Sequence, residues 1–419
     1  MERYESYKPS GISWIGEIPS HWEDRKIKYC FSERSLKGFP NEPMLCATQS
    51  QGVIPQSLYS NRVVVVNKDF DKQKLVKVGD FVISLRSFEG GIEYAYYQGI
   101  ISAAYTILTP RESDYAEYYK YLFKCYNFIQ LLQTCVTGIR EGQNINYPLL
   151  SKQNLPIPPL DEQKKIVEYL STKTSQIDAQ QRERERELRL LDELKQAEIA
   201  NVVTRGLNPD LPMKDSGIPW IGQIPAHWET VRIKYLFNEV DDKNTDLTFQ
   251  LLTFSRKKGV IPFSDANEKA PSASDLSKYK IIRAGQLLEN RMQAWSGMFA
   301  KSELDGCVSP DYSVFSPASE DICVDFFAHL FRTNNYIAHW ANLSRGVGDG
   351  FNRLYTPQFH SVFAIVPPLA EQKAIVEYIQ QKNSAIDEMI ANLRAEIDFL
   401  TEYKQRLIAD VVTGQIKVD

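Results

Sequence analysis

GISWIGEIPSHW, residues 11–22, returns as GIPWIGQIPAHW, residues 217–228, with nine of twelve positions identical. Further along, QGVIPQS at 51–57 returns as KGVIPFS at 258–264, and PPLDEQKKIVEY at 158–169 returns as PPLAEQKAIVEY at 367–378. Val202-Val203-Thr204 returns as Val411-Val412-Thr413. The offset grows only from 206 to 209, so two units of that length account for all 419 residues. Solenoid repeats run ~20–50 residues, so this is a duplicated domain with an attached helix. The ends of the two copies are nearly identical, while the middles (30–150 and 236–360) differ. A shared frame around different middles implies one task aimed at two different targets.

The PPL segments open long charged stretches with apolar residues at helical spacing. Proline tolerates a first-turn position and not a helix interior. Ile379, Ile386, Leu393, Leu400 and Leu407 recur every seven residues, widened by Ile375, Met389, Ile390, Ile397 and Tyr403; the first copy has Ile166, Leu170, Ile177, Leu188, Leu191 and Leu194. Such heptads predict coiled-coil helices of ~66 Å. The run Arg182–Arg189 reads as a solvated helix face, since its glutamates cancel its arginines. The middles carry short β-branched and aromatic runs between Gly, Pro and Asp, which read as strands and turns. One amphipathic helix per copy is expected, over 118–134 and 325–343. The fold class is therefore α+β. The expected organisation is a first domain at 1–157, a central helix at 158–205, a second domain at 206–366 and a distal helix at 367–419. The two helices would lie antiparallel in a pseudo-two-fold repeat.

Composition limits the function classes. Hydrophobic content of 43% and charged content of 24% are those of an ordinary globular protein. No apolar run reaches membrane-spanning length and the N-terminus lacks a signal-peptide pattern, so a cytoplasmic protein is expected. The six cysteines are scattered and read as buried thiols. None of the five histidines belongs to a spaced metal-ligand cluster. There is no phosphate-cradling GxxxxGK loop, and the glycine-rich 346–350 segment follows a helix rather than a strand. The Pro158-Pro159 and Pro367-Pro368 pairs lack the preceding Asn or Asp and following aromatic that amino-methyltransferases use. No catalytic site or resident cofactor is expected. Net charge is −4, and neither domain is basic: 18 Lys+Arg against 16 Asp+Glu over 1–160, and 16 against 18 over 206–369. If this chain binds nucleic acid, it must place its few cations well, or a partner must supply the rest of the field.

The duplicated set of GIxWIGxIPxHW, PPLxEQKxIV, an Ile-Asp pair (Ile177-Asp178, Ile386-Asp387) and VVT resembles the specificity subunit of type I restriction-modification systems over the whole chain. The resemblance implies that each middle is a target-recognition domain reading one half of a split duplex-DNA site. It implies helices that set the spacer and bind two methyltransferase subunits using S-adenosylmethionine. Two translocase-nuclease subunits using ATP and Mg²⁺ would complete the restriction form. Differing middles then predict an asymmetric site, its half-sites about one helical turn apart.

Base readout favours Arg or Lys to guanine and Asn or Gln to adenine. Candidates in the first copy are Gln49, Ser50, Gln51, Arg86, Ser87, Arg140, Gln143 and Asn144. In the second they are Ser255, Arg256, Lys257, Lys258, Arg291, Gln293, Arg345, Asn352 and Arg353. The competing account is ordinary exposed loops. Methyltransferase contacts are assigned to Glu162, Gln163, Lys164, Ile166, Glu371, Gln372, Lys373 and Ile375; equally, these residues start the helices, since acidic first turns suit the helix dipole. A protein-binding scaffold, favoured by the near-neutral charge, is the second function class, and an enzyme with an unfamiliar site the third.

Overall fold

The computed structural model describes residues 2–59, 69–111, 115–137, 144–256, 258–266, 276–346 and 352–418. The chain divides into two units: residues 1–185 with 394–419, and residues 186–393. Each unit therefore combines one domain with a segment of both long helices.

The two domains share one topology. The first has a four-stranded antiparallel sheet in the order Phe31–Arg34, Thr106–Pro110, Phe81–Ile83, Glu93–Tyr94; the second repeats it with Phe237–Val240, Tyr312–Pro317, Leu287–Asn290 and Phe299–Lys301. Side chains alternate across each sheet, as the period of two requires. Phe81, Ile83 and Leu108 join the helical core, while Val82 and Ile107 face a smaller cluster with Leu45, Val53 and Val76. In the second domain Leu287 and Phe315 face the helices, while Leu288 and Val314 face Leu252, Phe254 and Ile282. Over that smaller cluster lies a hairpin, Leu45–Thr48 with Gly52–Pro55, or Leu252–Ser255 with Gly259–Pro262. The β-branched run at 59–70, one of those read as strands in the first middle, falls mostly outside the described residues.

Where one amphipathic helix per copy is expected, there are two. Ala116–Leu122 is followed by Tyr126–Thr134, and Val324–Leu330 by Asn334–Leu343. The break is set by Cys125 and Thr333, which cap the second helix in extended conformation (φ −70°, ψ 145° and φ −73°, ψ 152°). It lets fully buried Phe123 and Phe331 turn into the aromatic core, against Phe31 and Phe81 or Phe237 and Phe299. Core burial of one large ring stabilises by ~1.5–3 kcal/mol, enough to outweigh the few backbone bonds lost at the break.

The long helices run Leu160–Arg205 and Leu369–Val412, 46 and 44 residues. They are antiparallel: in the first unit Asp178 meets Lys404 (2.5 Å), Gln181 meets Thr401 (2.7 Å) and Arg184 meets Glu396 (3.0 Å). In the second unit Lys195 meets Asp387 (2.6 Å) and Glu198 meets Tyr378 (2.6 Å). Each Ile-Asp pair splits its work. Ile177 and Ile386 are buried, and Asp178 and Asp387 each take the lysine of the facing helix. These exposed ion pairs contribute little energy and serve mainly to fix register.

The second helix stops at Val412, short of the 367–419 segment expected to be helical, because the chain turns at Gly414 (φ +74°). Residues beyond it return to the first domain: the Lys417 amide donates to the Glu2 carbonyl, and Val418 joins the core. Buried Val411 and Val412 pack into the first domain's core, whereas Val202 and Val203 from the first helix pack into the second domain's. Each copy's VVT thus closes the other copy's domain.

A Cβ on Gly414 would lie 2.4 Å from Pro19 and 3.1 Å from the Trp22 ring; one on Gly206 would meet only the Glu371 carboxylate at 3.0 Å and Trp228 at 3.4 Å in close contact. Both glycines have positive φ, so both substitutions strain the backbone. We expect G414A to cost more than G206A, by about 1 kcal/mol or more. Hydrogen exchange should show protection lost in residues 2–26 and 396–412 for G414A. Equal effects of the two substitutions would argue against this closure.

Candidate nucleic-acid interface and helix anchor

The frame motifs meet at one place in each unit. His21 and His227, from the IPxHW segments, each lie 2.8 Å from the first-turn glutamates Glu162 and Glu371. Tyr4 also donates to Glu162, and the Trp228 indole donates to Glu371 at 3.0 Å. Gln163 accepts the Tyr115 amide (3.1 Å) and donates to the Pro158 carbonyl (2.9 Å); Gln372 accepts the Cys323 amide (2.8 Å) and donates to the Pro367 carbonyl (2.9 Å). The Tyr118 hydroxyl reaches the carbonyls of both Pro156 and Val412. Burial lifts the Tyr4 phenol well above its usual range, reinforced by Glu162, so it stays a neutral donor.

This geometry corrects the partner-contact expectation for most of its residues. Gln163, Gln372, Ile166 and Ile375 are buried and engaged inside their units, and Glu162 and Glu371 are held by histidine. Lys164 and Lys373 remain exposed on their helices. Nothing in the residue pattern signals that a glutamine in a charged first turn caps a neighbouring domain helix.

At the opposite side of each sheet, the candidate reading residues gather at a hairpin tip. In the first unit Gln49, Ser50 and Gln51 are all exposed. The Thr48 hydroxyl accepts from the Gln51 amide and donates to the Gly52 carbonyl, both at 3.0 Å, and closes the turn. The Gln49 side chain lies against Gly90, where a Cβ would come within 2.7 Å of it. Arg86 is exposed at the start of the short helix Ser87–Gly90, and exposed Asn144 belongs to a short strand running beside that helix. Ser87 is corrected: it is buried, with its hydroxyl accepting from the Ser84 amide at 2.8 Å. Arg140 and Gln143 lie outside the described residues.

The second unit brings its candidates along one edge. Arg256 donates to the Ser296 carbonyl (3.2 Å) and hydroxyl (2.7 Å), beside exposed Gln293. Ser255, Arg256, Lys258, Gln293 and Asp265 line an open cleft of about 430 Å³. Arg291 is occupied by the carbonyls of Asp311 and Pro310, and Arg353 by the Asp311 carboxylate at 3.2 Å. Arg353 and Arg345 exchange backbone bonds, and the Leu354 amide donates to the Arg291 carbonyl, which joins this loop to the edge. Arg345 and Asn352 are exposed there. Lys257 lies outside the described residues.

Two cations that the sequence reading missed sit at the helix breaks. The Lys124 ammonium donates to the carbonyls of Gln49 (3.2 Å) and Gly90 (2.8 Å) and to the Glu93 carboxylate (2.5 Å). The Arg332 guanidinium donates to the Arg256 carbonyl at 3.1 Å. Burial pushes Glu93 up to about 7, against the pull of Lys124. Burial and the neighbouring Arg256 lower Arg332. A cation between two amphipathic runs in both copies was the available signal, hidden by reading those runs as one helix.

Two like α+β domains, each with a polar hairpin tip and an anchor for the paired helices, define a duplicated scaffold. Comparison with known proteins is consistent with this. A family model described as the type I restriction modification DNA specificity domain matches residues 19–189. The chain is 23% identical over 430 residues to a putative type I restriction enzyme MjaX specificity subunit of Methanocaldococcus jannaschii, covering 96% of each. It is 23% identical over 310 residues to the EcoKI specificity subunit of Escherichia coli, covering 68% of this chain and 63% of that one. In fold it is similar to a structure described in terms of complex assembly and conformational transition of the type I R-M system (TM-score 0.66, 16% identity, 95% of this chain and 99% of the other). It is also similar to the HsdS subunit from Thermoanaerobacter tengcongensis (TM-score 0.51, 16% identity, 95% and 98%). Over most of its length the chain is similar in sequence to type I restriction-modification specificity subunits and shares their fold.

Among the described residues no group of His, Cys, Asp and Glu is arranged to hold a metal ion, and no helix is long and apolar enough to cross a membrane.

The second unit also buries an acid beside Arg291. Glu289 is fully enclosed on its strand, and neither carboxylate oxygen has a hydrogen-bond partner among the described residues. Burial pushes it up to about 8, moderated by Arg291. The folded state then holds a proton that the unfolded state, with its carboxyl near 4.5, releases. Stability therefore falls as pH rises from about 4.5 to 8. E289Q should flatten that slope and raise Tm at pH 8 by several degrees, with little effect at pH 4.5. Melting curves across this range check it; an unchanged slope would refute a buried protonated acid.

Proposed function

We propose that this chain is the non-catalytic DNA-reading subunit of a type I restriction-modification complex, each tip reading one half of an asymmetric split site. The observation that carries the reading is the pairing of one scaffold with two different tips. The hairpins and helix breaks correspond by position, yet exposed Gln49, Ser50 and Gln51 stand where the second copy has Arg256, Lys257 and Lys258. Amides favour adenine and cations guanine, so the half-sites differ. Methyltransferase and translocase-nuclease subunits would supply S-adenosylmethionine, ATP and Mg²⁺ chemistry and part of the positive field that this chain, at −4, lacks.

The long helices act as the ruler and the docking face. Leu190, Leu194 and Met389 are more than half exposed and, with Leu191 and Leu393, line an apolar groove on the helix pair of the second unit. In the first unit Phe399 and Tyr403 stack in the open. Apolar residues left uncovered on a helix pair favour a protein partner there. We place the methyltransferase subunits on these faces, with exposed Lys164 and Lys373 near the start of each helix as further contacts.

Co-expression with an adenine methyltransferase subunit of such a system, followed by sequencing of modified bases in the host DNA, tests the reading. Methylation confined to one asymmetric split motif is expected. A stable complex without methylation would overturn it in favour of the protein-binding scaffold. Within that assay, R256A with Q293A should alter one half-site and leave the other intact. About two inserted helical turns between Gln176 and Leu194, matched on the facing helix, should lengthen the spacer alone.

A further inference from the structure

The tips are held by something other than their own turns. In both domains the same position, the residue after the first helix's aromatic cap, carries a cation: Lys124 after Phe123, Arg332 after Phe331. In both, that cation donates to the main-chain carbonyl of the same hairpin position, Gln49 in one copy and Arg256 in the other. The surroundings of these contacts differ. Lys124 also bridges the Gly90 carbonyl and the buried Glu93 carboxylate, whereas the second copy has Ala300 at the position of Glu93. There the Arg256 side chain itself supplies the second tie, to Ser296. Different side chains thus build the same constraint: a fixed carbonyl at the first residue of each tip.

We propose that Lys124 and Arg332 are the positioning residues of the two reading tips. By pinning the backbone of Gln49 and Arg256 to the helix break, each fixes the direction in which its tip's side chains approach the bases. This rests on the DNA-reading function proposed above. The physical requirement is strict, because a bidentate contact to a base edge tolerates little displacement, and a loose tip loses discrimination before it loses affinity. The three donors of the Lys124 ammonium are already taken by three acceptors, and the Arg332 guanidinium commits one of its donors to the Arg256 carbonyl.

The test is binding-site selection from a random duplex library by the full chain in complex with its methyltransferase partner, repeated over a salt series. The variants are K124M and R332M, with K124R and R332K as conservative controls. Expected is a roughly tenfold loss of base preference confined to one half-site in each case: one half for K124M, the other for R332M. The salt dependence should be unchanged and preference restored in large part by K124R and R332K. A uniform loss of affinity with a shallower salt slope would overturn the proposal, since that marks a direct phosphate contact. Unchanged selectivity would overturn it as well. Should K124M melt early, E93Q carries the same test, because it removes the carboxylate that holds the ammonium and leaves both carbonyls; it should loosen the same half-site. Failure of the wild-type complex to select any sequence would instead sink the DNA-reading function, and the positioning role with it.

Discussion

The burial of two valine pairs, each in a domain belonging to the other repeat, is the constraint on which the structure depends. Val202 and Val203 complete the core around Trp228, and Val411 and Val412 complete the core around Trp22. Fully burying one such side chain is worth ~1.5–3 kcal/mol, a large share of a domain's net stability. Neither domain closes its core with its own copy's helix end. Both helices must therefore run their full length and in opposite directions, and the ion pairs Asp178–Lys404 and Asp387–Lys195 then fall into equivalent registers. The near-identity of the frame motifs follows. IPxHW, PPLxEQ and VVT are the parts that meet at each anchor, so a change in one must be accommodated by the other two.

Much of this is legible in the residues alone. The duplicated motifs imply two domains and two long helices, and the heptad residues nearest the domains, Ile166, Leu170, Ile177, Ile379, Ile386 and Leu407, are buried as the spacing requires, whereas Leu194 and Met389 farther along the helices are exposed. Two things escape. The exchange of helix ends leaves no trace, because identical motifs at both ends of the repeat look the same whether each closes its own domain or the other. The helix breaks at Cys125 and Thr333 also escape, because apolar spacing over 118–134 and 325–343 is helical on both sides of the break. Only the packing of Phe123 and Phe331 into the aromatic core shows why the chain kinks there.

The candidate reading residues divide along a physical line that residue type alone cannot draw. Arginine is the expected guanine reader, yet Arg291 and Arg353 are occupied by carbonyls and a carboxylate around the turn at Pro310 and Asp311, and Ser87 closes a turn of its own. What stays exposed at the described tips is Gln49, Ser50, Gln51, Arg86 and Asn144 in one unit, and Arg256, Lys258, Gln293, Arg345 and Asn352 in the other. A donor already satisfied by the protein gains little by moving to a base, since it exchanges one hydrogen bond for another. Exposed amides and lysines lose only water.

The same reasoning bears on the weak net charge. A protein that bound DNA chiefly through phosphate neutralisation would need many unpaired cations, and its affinity would be largely indifferent to sequence. Here several cations near the tips and on the helices are committed to internal geometry: Lys124 and Arg332 to the tips, Lys404 and Lys195 to the helix register, Arg291 and Arg353 to one loop. Committing cations to shape lowers non-specific affinity while leaving the base-reading geometry intact. Under the proposed function that division would suit a subunit that discriminates beside partners that hold, and it would let a near-neutral chain read duplex DNA.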